Sequence, residues 1–196
     1  MLNKIIMLYV TLLPPIIAGV FNMIWCKLPI LKSLQIPMDF NKNFIDKKRI
    51  FGDHKTWKGF IGYLILNPLF TTIWGLICNI SNINNYNYFY INYDNTFLYN
   101  LLIGFLLGLG YSLFELPNSF IKRRLDIKPG KTTNGFKKLF FIFLDQADSV
   151  FGVCLVVCLF YKLGLKLYLI YVLLGALTHI VFNMILYFLK LRKNMF

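Results

Sequence analysis

Apolar and polar positions are sorted into long blocks along this chain rather than interleaved. Residues 5–26, 59–93, 95–114 and 167–189 carry no charged side chain. At 1.5 Å of helical rise per residue, about 20 residues cross the hydrocarbon of a bilayer, and each block is long enough. Four membrane-spanning helices are therefore expected. A fifth block, 139–161, is apolar apart from Asp145 and Asp148. It reads either as one span with two carboxylates in its first half, or as a helix that starts near Asp145 behind an interfacial stretch at 139–144. A carboxylate near a bilayer centre costs roughly 2.5–3.5 kcal/mol on insertion scales, so such residues face a bundle interior and serve a function. The expected fold is all-α and integral to the membrane, with five transmembrane helices in a single domain covering residues 1–196.

Composition agrees with a membrane setting. The 196 residues are 58% hydrophobic and only 15% charged, against about 25% charged in soluble domains, and the mean hydropathy is +0.61. The net charge of +13 is unevenly spread. Eight cations, Lys27, Lys32, Lys42, Lys47, Lys48, Arg49, Lys55 and Lys58, lie between the first two blocks. Seven more, Lys122, Arg123, Arg124, Lys128, Lys131, Lys137 and Lys138, lie between the third and fourth, and Lys190, Arg192 and Lys193 end the chain. The opposite side keeps Lys4, Lys162 and Lys166. By the positive-inside rule the N-terminus is outside and the two long basic loops are cytoplasmic. The outer side has a short turn, YKLGLK (161–166), and SNINNYNYFYINYDN (81–95), whose tyrosines suit the headgroup level. The first block is longer than a signal-peptide core and lacks a cleavage pattern, so a retained span is expected. Cys26, Cys78, Cys154 and Cys158 have neither zinc nor disulfide-framework spacing and read as packing residues.

Three motifs carry chemistry. In LDQADSVFG, Asp145 and Asp148 are three residues apart and share a helix face. Two like charges so close are unfavourable unless a cation lies between them. An oxygen-only pair suits Mg²⁺, which takes one or two carboxylates and completes its shell with water and phosphate oxygens; pairing with a neighbouring Lys or Arg is the plainer alternative. SFIKRRLDIKPGK (119–131) sets Lys122, Arg123, Arg124, Lys128 and Lys131 around a Pro-Gly turn shortly before that pair. As a loop it would touch anionic headgroups; beside a Mg²⁺ site it supplies what a triphosphate requires. The string GKTT (130–133) is not a P-loop, because Leu125 stands where the first glycine belongs. In FGDHKTWKGFIG (51–62), Gly52 and Gly59 permit close backbone approach. Lys55 and Lys58 can hold phosphate and Thr56 can donate to it, while Asp53 pairs with a cation or reaches the metal. His54 reads as a loop residue and Trp57 as an interfacial anchor. Polar residues also sit within the blocks or at their ends: Asn22, Glu115, Asn118, and His179 with Asn183 on one face at i, i+4. They serve either interhelical hydrogen bonds or the wall of an active site.

Taken together, PMDF (37–40), RIFGDHKTWKGF (49–60), ELPNSFIKRRLDIKPG (115–130), DQADSVFG (145–152) and His179 with Asn183 resemble the CDP-archaeol synthase family. These are membrane cytidylyltransferases distantly similar to phosphatidate cytidylyltransferase. The resemblance runs along essentially the whole chain and implies a five-helix membrane domain with a cytoplasmic active site. It implies the reaction of CTP with an isoprenoid ether glycerol phosphate to give CDP-lipid and pyrophosphate, with Mg²⁺ as cofactor. The family's DQ-x-D motif falls on Asp145, Gln146 and Asp148; S-F-x-K-R-R falls on Ser119, Phe120, Lys122, Arg123 and Arg124; G-D-x-K-T-W falls on Gly52, Asp53, Lys55, Thr56 and Trp57. Two positions depart from it: His54 replaces a small or amide residue, and Asn41 follows PMDF where glycine is usual.

The expected site has Asp145 and Asp148 as metal ligands and, with Lys122 and Arg123, as the catalytic set. Substrate contacts are expected from Gly52, Asp53, Lys55, Thr56, Lys58, Asn118, Ser119, Arg124, Lys128, Gln146, His179 and Asn183. The expected partners are CTP, a membrane lipid phosphate and the bilayer, with no nucleic acid; the oligomeric state is not legible. Phosphatidate cytidylyl transfer to an ester lipid and a CTP-dependent lipid kinase remain alternatives, as does a non-enzymatic transporter or anionic-lipid scaffold. A transporter would show paired repeats, and none is found.

Overall fold

A computed structural model of the chain describes residues 2–131 and 135–190. Five long helices account for the apolar blocks: α1 (Leu2–Lys27), α2 (Trp57–Ile80), α3 (Phe97–Arg124), α4 (Phe136–Phe160) and α5 (Leu165–Phe188). All five are long and apolar enough to cross a membrane. Among the described residues there is no strand, only two isolated bridges in the α1–α2 loop. Arg192 and Lys193, and Thr132 and Thr133 of the GKTT string, lie outside the described residues.

Helices adjacent in sequence pack side by side, α1 on α2, α2 on α3, α3 on α4 and α4 on α5. Lipid offers no hydrophobic drive between helices, so contact depends on small residues that let backbones close in. A Cβ at Gly104 of α3 would stand 2.3 Å from the Pro68 Cα of α2, and one at Gly152 of α4 would stand 2.0 Å from the Gly110 carbonyl oxygen of α3. Helix-internal prolines are tolerated where a neighbour satisfies the freed carbonyl. Pro14 cannot donate to Val10 of its own helix, and the Trp74 indole N–H of α2 donates to that oxygen instead, at 2.7 Å.

Two boundaries differ from the sequence expectation, and a third, left open between two readings, is decided. α3 does not stop with its apolar block at 114 but runs ten residues further, so SFIKRR is its last turn and a half rather than loop. Lys122, Arg123 and Arg124 thereby sit at a helix C-terminus, where cations favour the macrodipole. α4 is one helix from Phe136, so Asp145 and Asp148 lie within it and the stretch at 139–144 is its beginning, with Lys137 and Lys138 in its first turn. The Asn/Tyr-rich segment is not a headgroup spacer throughout. Two 3₁₀ turns, Asn84–Tyr86 and Tyr88–Tyr90, fold it over the bundle end, and Tyr88, Phe89 and Tyr90 are buried while Tyr86 and Tyr93 stay exposed.

The two basic connections meet at one end of the bundle. Lys48 bonds Asp126 at 2.7 Å, and Arg124 bonds Asp46 at 3.0 Å. The α1–α2 loop is shaped around Asp39, whose buried carboxylate accepts from Arg49 Nη2 (2.8 Å) and Nε (3.2 Å). It also accepts from the backbone N–H groups of Gly52 (2.9 Å), Phe51 (3.0 Å) and Asn41 (3.1 Å). Burial pushes this carboxyl up, but the Arg49 and backbone hydrogen bonds outweigh it and hold the pKa down to about 2.

Candidate active site

The extension of α3 beyond its apolar block puts Glu115, Asn118 and Lys122 on one face, at helical spacing. That face meets α4. The Asn118 side-chain N–H group donates to Asp145 Oδ1 and to Asp148 Oδ2, each at 2.8 Å, so one amide nitrogen draws both carboxylates together. Lys122 Nζ lies 2.7 Å from Asp145 Oδ2 and 3.0 Å from Oδ1, and the Ser149 backbone N–H donates to Asp148 Oδ1 at 2.7 Å. Lys55, from the α1–α2 loop, pairs with Glu115. Burial lowers the Lys55 ammonium pKa, but the carboxylates of Glu115, Asp148 and Asp145 outweigh it and raise it.

These groups line a cavity of about 520 Å³, within the range of small-molecule sites. Its polar lining includes His54, Lys55, Ser119, Lys122, Arg123 and the two aspartates. Its apolar side comes from α1 (Ile16, Val20, Met23) and α5 (Phe182, Leu186). α1 and α5 are tied to each other through Tyr9 and Thr178 (3.0 Å) and through Tyr171 to the Lys4 carbonyl (2.9 Å), contacts that involve the first part of α1. From α5, Asn183 donates to Gln146 Oε1, and His179 packs 5.9 Å from Tyr111, ring centre to ring centre.

The donor set fits a hard divalent cation. Both aspartates present oxygen, and Asn118 Oδ1 is buried without a hydrogen-bond partner among the described residues. Three carboxylates, Glu115, Asp145 and Asp148, face two primary ammonium groups, Lys55 and Lys122. Among the described residues no group of three or more His, Cys, Asp or Glu converges as a ready cage.

The structure thus brings together Lys55, Asn118, Ser119, Lys122, Arg123, Asp145, Gln146, Asp148, His179 and Asn183. Six other expected contacts lie elsewhere. Lys58 is fully buried; it caps the end of α1 through the Leu28 carbonyl (2.6 Å) and does not reach the cavity. Thr56 N-caps α2, its hydroxyl accepting from the Gly59 N–H at 3.2 Å. Arg124 turns outward, 3.6 Å from the Phe120 ring centre and 4.9 Å from that of Phe44, and binds Asp46. Asp53 pairs with Arg49 at 2.9 Å, and Gly52, Asp53 and Lys128 line a separate hollow between the loops. Trp57 packs with Phe40 and Phe60. Sequence reasoning named Glu115 as a possible wall residue but left it out of the expected contacts, and it missed Tyr63, Tyr111 and Ser149 of the cavity wall and the organising role of Asp39. A carboxylate three residues before Asn118 was the available signal for Glu115.

A family model described as "CarS-like: CDP-archaeol synthase" matches residues 1–196. The chain is 30% identical to a CDP-archaeol synthase of Thermofilum pendens over 181 residues, 92% of this chain and 76% of that protein. It is also 30% identical to one of Pyrobaculum calidifontis over 193 residues, 98% and 99% of the two chains. A solved intramembrane enzyme for archaeal membrane lipids biosynthesis shares the fold, with a TM-score of 0.54 and 22% identity over 89% of this chain and 95% of that one. Matched along its whole length, the chain belongs to the CDP-archaeol synthase family of membrane nucleotidyltransferases.

Proposed function

We propose that this protein transfers a cytidylyl group from CTP to an archaeal lipid phosphate, giving CDP-lipid and pyrophosphate in a Mg²⁺-dependent reaction at the cytoplasmic face. The observation that carries the reading is the double hydrogen bond of Asn118 to Asp145 and Asp148 beside Lys122, in a cavity lined by both charged and apolar side chains. A nucleotide triphosphate suits the charged lining and a lipid tail the apolar one.

In this account a lipid-phosphate oxygen attacks the α-phosphorus of CTP. A new P–O bond forms, the bond between the α-phosphorus and its bridging oxygen breaks, and the electron pair leaves with pyrophosphate. The attacking phosphate is ionised at neutral pH, its second pKa being near 6, so no general base is required. Asp145 and Asp148 would hold Mg²⁺, which when bound neutralises charge on the triphosphate. Asn118 keeps the two carboxylates aligned, and Lys122 balances Asp145 when nucleotide is absent. Lys55, Lys122 and Arg123 face the charge that develops on the leaving group. Ser119, and the Gln146–Asn183 pair with His179, border the substrate space. The tails exit between α1 and α5, past Ile16, Val20, Phe182 and Leu186. A small apolar pocket behind them, with Leu12, Pro15, Val150 and Val153, shares Ile16, Tyr111 and His179 with the cavity. The basic loop end faces the cytoplasm under the positive-inside rule, and the whole chain acts as one domain.

The test is product analysis. Purified protein in detergent is given CTP, Mg²⁺ and either an ether or an ester glycerol phosphate lipid. CDP-lipid and pyrophosphate in equal amounts from the ether lipid is the expected result. Preference for the ester lipid would make the protein a phosphatidate cytidylyltransferase, CDP with a lipid diphosphate would make it a kinase, and no product with any lipid would refute the enzymatic reading.

A further inference from the structure

The two basic loops enclose a second hollow, of about 350 Å³, that the central cavity does not include. Two ion pairs stand on its rim, Arg49–Asp53 and Lys48–Asp126, with the Asp53 and Asp126 side chains 67% and 77% exposed. Its remaining cations are Arg123 and Lys128, and neither is ion-paired to a carboxylate among the described residues.

Arg123 is the shared wall, lining both the cavity and the hollow. It is only 8% exposed, and its Nε and Nη1 groups have no hydrogen-bond partner among the described residues. A guanidinium cannot shed its proton to escape burial, and a buried cation without an ion-pair partner in contact is unfavourable; Asp53 and Asp145 act on Arg123 only from beyond ion-pair distance. The arrangement is that of a site completed by an anion. Its direction is set by Gly52, which borders the hollow and not the cavity. A Cβ there would stand 3.4 Å from Arg123 Nη1 and 2.9 Å from Pro129 Cγ, so Nη1 lies beside the Gly52 wall of the hollow. Gly52 also has φ +98, a left-handed conformation that favours glycine. The three consecutive cations of α3 therefore divide: Lys122 turns in to Asp145, Arg124 turns out to Asp46, and Arg123 stands between two spaces.

We infer that the hollow is a pyrophosphate site, which receives the leaving group of the cytidylyl transfer after it passes Arg123. This rests on the cytidylyltransferase reading. The ligand class follows from the chemistry: a small, highly charged diphosphate leaves the cavity with the electron pair of the broken P–O bond, and the hollow offers it Arg123 and Lys128 beside the apolar Ile127 and Pro129. Gly52 and Lys128, which the sequence had placed against the substrate, serve the product instead.

The test compares wild type, Lys128→Glu, Lys128→Arg and Lys162→Glu, the last carrying the same charge change on an exposed lysine at the opposite end of the bundle. The inhibition constant for added pyrophosphate and the KM for CTP are measured with lipid phosphate and Mg²⁺. The expected result is a fivefold or greater rise in the pyrophosphate constant for Lys128→Glu, with the CTP KM moving less than twofold. Lys128→Arg should restore the wild-type constant and Lys162→Glu should move neither value. A CTP KM that rises in step with the pyrophosphate constant would assign the hollow to the triphosphate, and an unmoved pyrophosphate constant would leave it without this ligand; either result overturns the inference. A wild type without turnover removes the cytidylyltransferase reading itself, and the pyrophosphate site with it.

Discussion

Two polar clusters are buried at opposite ends of this bundle, and they are built on different principles. At the end away from the two basic loops the groups are neutral and mutually satisfied. Tyr90 donates to Asn100 (2.7 Å), Asn100 to Asn95 (2.7 Å), and Asn95 to the Gly75 carbonyl (2.8 Å) and to Asn84 (2.9 Å). Tyr88 and Tyr171 share a 2.6 Å bond. None of these side chains carries a buried unpartnered atom. At the loop end the groups are charged and the network is incomplete: Asn118 Oδ1 and two nitrogens of Arg123 lack partners among the described residues, and the aspartates face an open cavity. A closed neutral network rigidifies a fold, whereas an unsatisfied charged one leaves positions for ligand atoms. The comparison teaches that polarity inside a membrane bundle does not by itself mark a site; charge together with incomplete satisfaction does, since the neutral Asn67, Thr71 and Ser112 also carry unpartnered buried atoms among the described residues.

The contrast can be broken by mutation, and the largest effects belong to the loop end. Asp145→Asn should lower turnover by about 10³-fold, because it removes charge from the carboxylate pair on which the triphosphate depends; CDP-lipid formation under saturating CTP is the readout. Asn118→Ala removes no charge, only the group that aligns the two carboxylates. Losses on the order of 10–100-fold are typical of such supporting partners, and the requirement for Mg²⁺ should shift upward. An Asn118→Ala enzyme with wild-type Mg²⁺ dependence would separate this amide from the metal site.

Asp39→Asn tests whether loop shape is a stability matter. Loss of a buried charged acceptor costs about 1–3 kcal/mol, and faster proteolysis or amide exchange across 37–56 is expected. The same carboxylate gives a pH dependence. Its folded-state pKa of about 2 lies below the ordinary 3.8. Its contribution is therefore fully present above pH ~4 and lost as pH falls toward 2. In the variant, loop exchange should be flat across that window. The smallest effect belongs to the neutral cluster. Tyr90→Phe deletes one neutral hydrogen bond between the 3₁₀ turn and α3, on the scale of the about 0.6 kcal/mol that interhelical bonds average in membrane proteins. Thermal stability should drop slightly and CDP-lipid formation should stay within twofold.

Much of this architecture was readable because the bilayer imposes a length. Four charge-free blocks and a fifth broken only by Asp145 and Asp148 announced five helices, and helical spacing placed Asp145 with Asp148 and His179 with Asn183. What the blocks could not report is where a helix ends. The apolar length of α3 follows the hydrocarbon thickness, while its last ten residues are held by contacts with the loops and with Asp145. Nor does spacing distinguish Lys55 from Lys58. Both lie in one motif three residues apart; the first meets Glu115, and the second meets carbonyls at the end of α1. That choice is made by packing between segments distant in sequence. Asp39 was quoted for its motif and not for its role, because its partners, Arg49, Phe51 and Gly52, follow no helical or strand period. The Asn- and Tyr-rich segment misled for a similar reason: its composition suits a headgroup layer, but Tyr88 and Tyr90 find hydroxyl and amide partners inside the bundle.

The central claim is that the carboxylate pair on α4, held by Asn118 and Lys122, performs lipid-dependent cytidylyl transfer. Pyrophosphate release by purified wild type and Asp148→Asn, with and without lipid phosphate at saturating CTP and Mg²⁺, tests it most directly. The account predicts release by the wild type that requires lipid and falls to background in a variant that still folds. Wild-type turnover by Asp148→Asn, or release that ignores the lipid, would contradict it.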